Sequence, residues 1–221
     1  MKDNTWRPDG VKIKVQGVPY DPYQALRNFV LPIRHIPGWI ENSKDVTNTG
    51  LSAREWLGLI LHALSLTDKT GEYVQVATEK TGGDGAIVRD ENGVQHAVLV
   101  EQTLATYREK GDFLEIIERR VSHKSGKGGN YALNKHLVVY CNNNGDLNEK
   151  ELYPIVAKGL FNIVTIIGFQ DNEKGRHFLC FVFDKDHPSE AIHKWAIKEP
   201  EFWQMAIDIY EQEQKDNTTE T

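Results

Sequence analysis

The segment Leu137–Cys141 reads LVVYC, apolar at every position. A strand with one face in water alternates apolar and polar residues. An unbroken run is what a central strand covered on both faces requires. This places helices on both sides of a sheet and points to an α/β class. The flanking segments agree. Ser52 followed by Glu55 is a capping-box signature, and Trp56, Leu59, Ile60, Ala63 and Leu64 then recur at helical spacing, predicting a helix over 52–65. Strand-like runs follow at 72–78, 86–89 and 95–102. Asn92-Gly93, a strong hairpin turn, separates the last two.

The pattern further predicts a helix at 104–121, the strand at 137–141, a turn at Asn142–Asp146 and a helix at 147–160. Strands at 163–169 and 177–183 come next, and then an amphipathic helix carrying Phe202, Trp203, Met205, Ala206, Ile209 and Tyr210. Trp195 is assigned to that C-terminal helical region with Trp203. The order α-β-β-β-α-β-α-β-β-α implies a mixed central β-sheet flanked by helices on both faces. Residues 1–50, rich in Pro, Gly, Asp and Asn, read as an N-terminal extension with one weak strand and one short helix, packed on the main domain. Residues 51–211 form that α/β domain, and 212–221 a polar tail expected to fray.

Two segments carry chemistry. In GGDGAIV (82–88) an acid, Asp84, sits among glycines at the mouth of a strand. In HAVLVEQT (96–103) a carboxylate, Glu101, ends an apolar strand run, with Thr103 on its face by period-two alternation. A hairpin joins the two strands, so Asp84 and Glu101 can converge on one edge. Paired carboxylates are costly unless a cation neutralises them, and hard oxygen ligands favour magnesium or manganese. Such a metal polarises a phosphoryl oxygen and activates water, the chemistry of phosphodiester hydrolysis.

An acid after glycines at a strand start, a hairpin, a hydrophobic strand ending in an acid, a helix and another strand together resemble the PD-(D/E)XK, or restriction-endonuclease-like, nuclease superfamily over roughly 52–170. The resemblance implies an αβββαβ core, magnesium or manganese at Asp84 and Glu101 with Glu55 assisting, and metal-dependent cleavage of nucleic acid, DNA before RNA. A homodimer would suit double-strand cutting. The chain departs from the family at one position. The lysine expected two residues after the acid is Thr103, giving E-Q-T instead of E-x-K. Gln102 or Thr103 then takes part of the lysine's role, and Lys124 or Lys127 are substitutes for its charge. The alternative is the same fold without catalysis, used as a nucleic-acid-binding or protein-interaction module.

Plainer readings stand beside these. Asp is common in Gly-rich turns. The capping box alone accounts for Glu55. Glu101 could pair with Arg108 or Arg89. His62, in the helical run LHAL, reads as structural. The stretch from Arg119 to His136 contains Arg119, Arg120, His123, Lys124, Lys127, Lys135 and no acid. It reads either as a solvated loop or, through Arg119, Arg120, Lys124, Lys127 and Lys135, as a contact with a phosphate backbone. Its SGKGGN lacks the spacing of an ATP-binding loop. Tyr131 beside it reads as rim packing or a base-stacking platform.

A net charge of -6 argues against general coating of nucleic acid but leaves room for a local basic groove. The chain has 221 residues, long enough to bury roughly 70% of its unfolded surface without staples. Cys141 and Cys180 lie in apolar runs and read as buried and reduced, with a disulfide left open. No apolar run is long enough to span a bilayer and the N-terminus resembles no secretory signal, so no membrane partner and a cytoplasmic location are expected.

Overall fold

A computed structural model describes residues 15–41, 49–79, 85–106, 108–132, 135–142, 148–172, 175–185 and 192–219. Asp84 and most of the expected turn at Asn142–Asp146 lie outside the described residues. A single eight-stranded mixed sheet runs β1 to β8 in chain order. Its strands are β1 (Val15–Tyr20), β2 (Val74–Glu79), β3 (Gly85–Glu91), β4 (Val94–Thr106), β5 (Lys135–Asn142), β6 (Ile163–Asn172), β7 (Gly175–Asp184) and β8 (Ile192–Lys198). Strands β1 to β4 form an antiparallel meander. β4, β5 and β6 are parallel, and β6 to β8 are antiparallel again. Parallel neighbours need crossovers. These are α3 (Phe113–Ser125) and α5 (Glu149–Ala157), which pack together on one face with Leu137, Val139, Ile166 and Phe181. The other face carries α2 (Ala53–Thr70) and α6 (Glu199–Thr219), over Val100, Val138, Ile167 and Phe178. Helices on both faces of a mixed sheet agree with the expectation from Leu137–Cys141, all of which are buried.

Residues 15–30 belong to this framework. β1 extends the sheet beside β2. α1 (Pro22–Ala25), capped by the Asp21 carboxylate, runs into a π-helical turn, Leu26–Val30. That turn stacks Phe29 on Trp56 of α2, with ring centroids 4.3 Å apart. α2 starts on the expected capping box, with Ser52 and Glu55 satisfying each other's backbone N–H groups, and ends at Gly71 in the left-handed region. Asn92 (φ 55°) and Gly93 (φ 81°) make the two-residue hairpin that sets the β3–β4 register, pairing Glu91 with Val94.

Three expectations are corrected. The helix placed at 104–121 begins at Phe113, because β4 continues through Thr106 and pairs residue by residue with β5. Its true start carries a signal in Asp112 and Glu115, where the Glu115 carboxylate accepts the Asp112 N–H at 3.3 Å. Because α3 runs to Ser125, His123 and Lys124 are helical, not loop, residues, and the loop closes with a short helix, α4 (Gly129–Ala132). Trp195 stands on β8, opposite Cys180 of β7, not in the terminal helix. β8 has one neighbour, so its IHKWAIK pattern of partly exposed residues hides it. α6 runs through the polar tail to Thr219. Among the described residues no helix is long and apolar enough to cross a membrane.

Candidate functional site

β4 distributes its residues between the two layers. Val100 packs in the α2 layer, whereas Leu137, the register partner of Glu101, packs in the α3 layer. By alternation Leu99, Glu101 and Thr103 face α3, and Gln102 faces α2. A small cluster of Ala77, Ala86, Val88, Ala97 and Leu99 lies on the Glu101 side of β2 to β4, separate from the core beneath α3 and α5. Glu101 therefore stands on the seam between two apolar clusters.

A carboxylate there needs counter-charge. Glu101 is 3% exposed. Its Oε2 accepts from Lys124 Nζ at 2.7 Å and its Oε1 from Lys135 Nζ at 3.2 Å. Lys124 comes from the last turn of α3. It lies on the helix stripe that buries Phe113, Ile117 and Val121, so packing of that stripe on the sheet delivers the ammonium inward. Lys135 opens β5 and shares the face of Leu137. Arg89 pairs instead with Glu72 at 2.7 Å. With both lysine side chains less than a fifth exposed, this is a partly buried network, not a solvent-screened pair.

The cluster continues outward. Tyr131, on α4, has Lys135 Nζ 4.2 Å and Lys127 Nζ 4.5 Å from its ring centroid, and its hydroxyl accepts from Lys127 at 3.0 Å. Tyr131 thus holds two lysines, in addition to packing edge-on against Phe161. Exposed Lys127, half-buried Tyr131 and then Lys135 lead from solvent to the carboxylate.

The remaining expected residues separate. Thr103 shares the Glu101 face. Gln102 leaves on the opposite face, where its Nε2 donates to the Glu55 backbone carbonyl at 2.9 Å. Close approach of α2 here relies on Gly58, where an added Cβ would lie 2.5 Å from Gln102 Oε1. Glu55 is in the α2 layer, with its Oε2 accepting the Ser52 N–H at 2.7 Å and hydroxyl at 2.8 Å. Arg119 donates to the Lys110 carbonyl at 2.5 Å, and Arg120 pairs with Glu109 at 2.9 Å. Burial raises the Glu109 pKa, but the Arg120 hydrogen bond, the Thr106 N–H and the charges of Arg120 and Arg119 together hold it below the ordinary range. These two arginines anchor the loop before α3, while Lys124 and Lys135 turn to Glu101.

Asp84 precedes Gly85, whose register partner Val100 precedes Glu101. Gly85 itself has a packing reason to be glycine, because a Cβ there would lie 2.7 Å from Leu59 Cδ2 of α2. Among the described residues no group of three His, Cys, Asp or Glu is arranged to hold a metal. Glu101 brings hard oxygen donors of the kind magnesium or manganese takes, but each of its oxygens faces an ammonium group.

A second polar group, missed as a pair in the sequence, crosses the α2 layer. His62 Nε2 is 2.9 Å from His136 Nδ1, and His62 Nδ1 is 2.8 Å from Thr165 Oγ1. Burial drives the His62 pKa well below its ordinary value, with His136 adding to the effect, and burial pushes His136 down to about 3. Both rings are neutral and structural. Cys141 and Cys180 are free and buried in opposite layers, which closes the disulfide question. No family model, curated protein or solved structure matches this chain.

Proposed function

We propose that the chain is a metal-dependent phosphodiester hydrolase of nucleic acid, with DNA as substrate, built on a restriction-endonuclease-like core. The observation that carries this is the Lys124 ammonium, 2.7 Å from Glu101, in a chain whose E-Q-T lacks the adjacent lysine. A lysine from α3 supplies the charge that E-x-K would supply from the strand. The succession α2-β2-β3-β4-α3-β5, a meander followed by a parallel crossover, supports the αβββαβ reading.

In this reading Glu101, with Asp84, holds magnesium or manganese, which when bound supplies Lewis-acid polarisation of a phosphoryl oxygen. Lys124 offsets negative charge that grows on the phosphate as the bond breaks. Thr103, on the same face, is placed to hydrogen-bond water. Lys127, Lys135 and Tyr131 receive the backbone. Glu55 and Gln102 serve the α2 contact.

A second reading, a nucleic-acid-binding module without catalysis, draws on the same geometry, since both Glu101 oxygens already face ammonium groups. Cleavage of plasmid and single-stranded DNA in magnesium or manganese separates the two. The hydrolase reading expects cleavage that falls by about a hundredfold or more in Glu101→Gln and in Lys124→Met, with folding checked by thermal melts. DNA binding without cleavage in either metal would establish the module instead.

A further inference from the structure

In the layer opposite Glu101, four elements close around a cavity of about 270 Å3. Asp21 and Tyr23 come from the start of α1, Thr67 and Asp68 from the end of α2, Tyr73 from the residue before β2 and Trp195 from β8. β2 and β8 stand near opposite ends of the sheet order, and α2, which packs on both, brings them to one place. Three aromatic rings and two carboxylates around one small cavity are the chemistry that recognises an organic cation. The ring quadrupoles attract positive charge at contact, and the carboxylates add a field of the same sense. We propose that this cavity binds a small N-methylated ammonium compound, with its trimethylammonium head among Tyr23, Tyr73 and Trp195. The site is separate from Glu101 and does not depend on the hydrolase reading.

The hydrogen bonds favour a cation without N–H groups. Asp21 Oδ1 accepts the N–H groups of Tyr23 at 2.8 Å and Gln24 at 3.1 Å, and its Oδ2 accepts the Tyr73 hydroxyl at 2.5 Å. All three donors are neutral, so they fix the carboxylate without cancelling its charge. A primary ammonium needs up to three acceptors, whereas a methylated one needs only charge and apolar contact. Donation from the Tyr73 hydroxyl also pushes electron density into its ring and strengthens the pull on a cation. Burial, with the hydrogen bond to Asp21 and its charge, raises the Tyr73 pKa far above its ordinary value, so the phenol remains the donor. Asp68 lies in the last turn of α2, 2.7 Å from His193 Nε2, where the helix end carries partial negative charge. Lys69 of the same turn is drawn to Asp184 at 2.8 Å, and no Lys or Arg is among the described residues lining the cavity. Its volume falls below the roughly 300–1,000 Å3 of pockets for drug-sized ligands, which suits a compact head group.

The test is calorimetric titration of the full chain, at constant ionic strength, with choline and with 3,3-dimethylbutan-1-ol, its uncharged isostere. Choline should bind at least about tenfold more tightly than the isostere. The double variant Asp21→Asn, Asp68→Asn should weaken choline by about tenfold or more while melting near the wild-type temperature, because Asn caps a helix as Asp does. Trp195→Leu should weaken choline by a similar factor. No choline binding up to about 10 mM overturns the proposal, and so does equal affinity for the isostere, which would make the cavity merely apolar. Choline binding unchanged in both variants places the cation elsewhere and overturns it too. A trimethyllysine peptide that binds more tightly than choline by about tenfold would replace the small compound with a modified protein as ligand.

Discussion

Several residues here have a double meaning that type and spacing alone do not resolve. Glu55 is an acid near the start of the helix before the first core strand, and also the third position of a capping box. The structure gives its carboxylate to the Ser52 N–H and hydroxyl, in the layer opposite Glu101. Ser52→Ala should therefore lower stability by about 1 kcal/mol, and Glu55→Gln by less, because Gln also closes a capping box. Both are measured by urea unfolding, and neither should change Mn2+ affinity. Loss of Mn2+ binding in Glu55→Gln would return this residue to the site. Glu101 was legible as unusual because an acid at the end of VLV on a buried sheet demands a partner. Which partner was not legible. Lys124 and Lys135 lie 23 and 34 residues away in the chain, and only the α3 crossover brings them to it.

At the level of elements, the site depends on how closely two helices approach the sheet from opposite sides. α2 seats Leu59 on Gly85 and leaves room at Gly58 for Gln102. Gly85→Ala places a methyl 2.7 Å from Leu59 Cδ2, in a helix–sheet contact with little freedom to move. It should destabilise by about 1–3 kcal/mol, read as a lower urea midpoint at unchanged slope. A neutral result would mean that α2 rides up without cost. The GGDG sequence thus has a packing reason for one glycine beside any functional reason for its acid. α3 acts from the other side, and its apolar stripe ends in Lys124. The periodicity of Phe113, Ile117 and Val121 extends to that lysine, a signal present in the sequence that a helix running from 104 hides. The end of β4 is ambiguous for the same reason, because LAT after Thr103 suits either strand or helix until its pairing with Tyr140–Asn142 decides.

Across the whole molecule, the His62–His136–Thr165 chain ties α2 to β5 and β6, and it links stability to pH. Both imidazoles are held neutral, so their folded pKa values lie below the unfolded value near 6.5. The unfolded chain then binds more protons on acidification. Stability from these groups is full above pH 6.5 and declines as pH falls from there towards the His136 value of about 3. Beside burial, the charges of Arg89 and Lys69 deepen the His136 shift and Asp184 opposes it. Urea unfolding against pH should show stability dropping by up to about 1.4 kcal/mol per pH unit for each imidazole just below pH 6.5. A curve flat between pH 7 and pH 5.5, where carboxylates contribute little, would sink this account.

Local physics is written in the sequence wherever the determining neighbours are close in the chain. Capping at Ser52–Glu55, the left-handed pair Asn92-Gly93 and the all-apolar LVVYC each specify their own structure. Together they imply the layered α/β arrangement. Tertiary structure alone decided what depends on residues distant in sequence: that β4 and β5 pair through Thr106 and Asn142, that Glu101 and Gln102 part to opposite layers, and that two lysines close on one carboxylate. A buried charge is neutralised through space by whichever cation the packing brings within about 3 Å, and chain order carries no record of that distance.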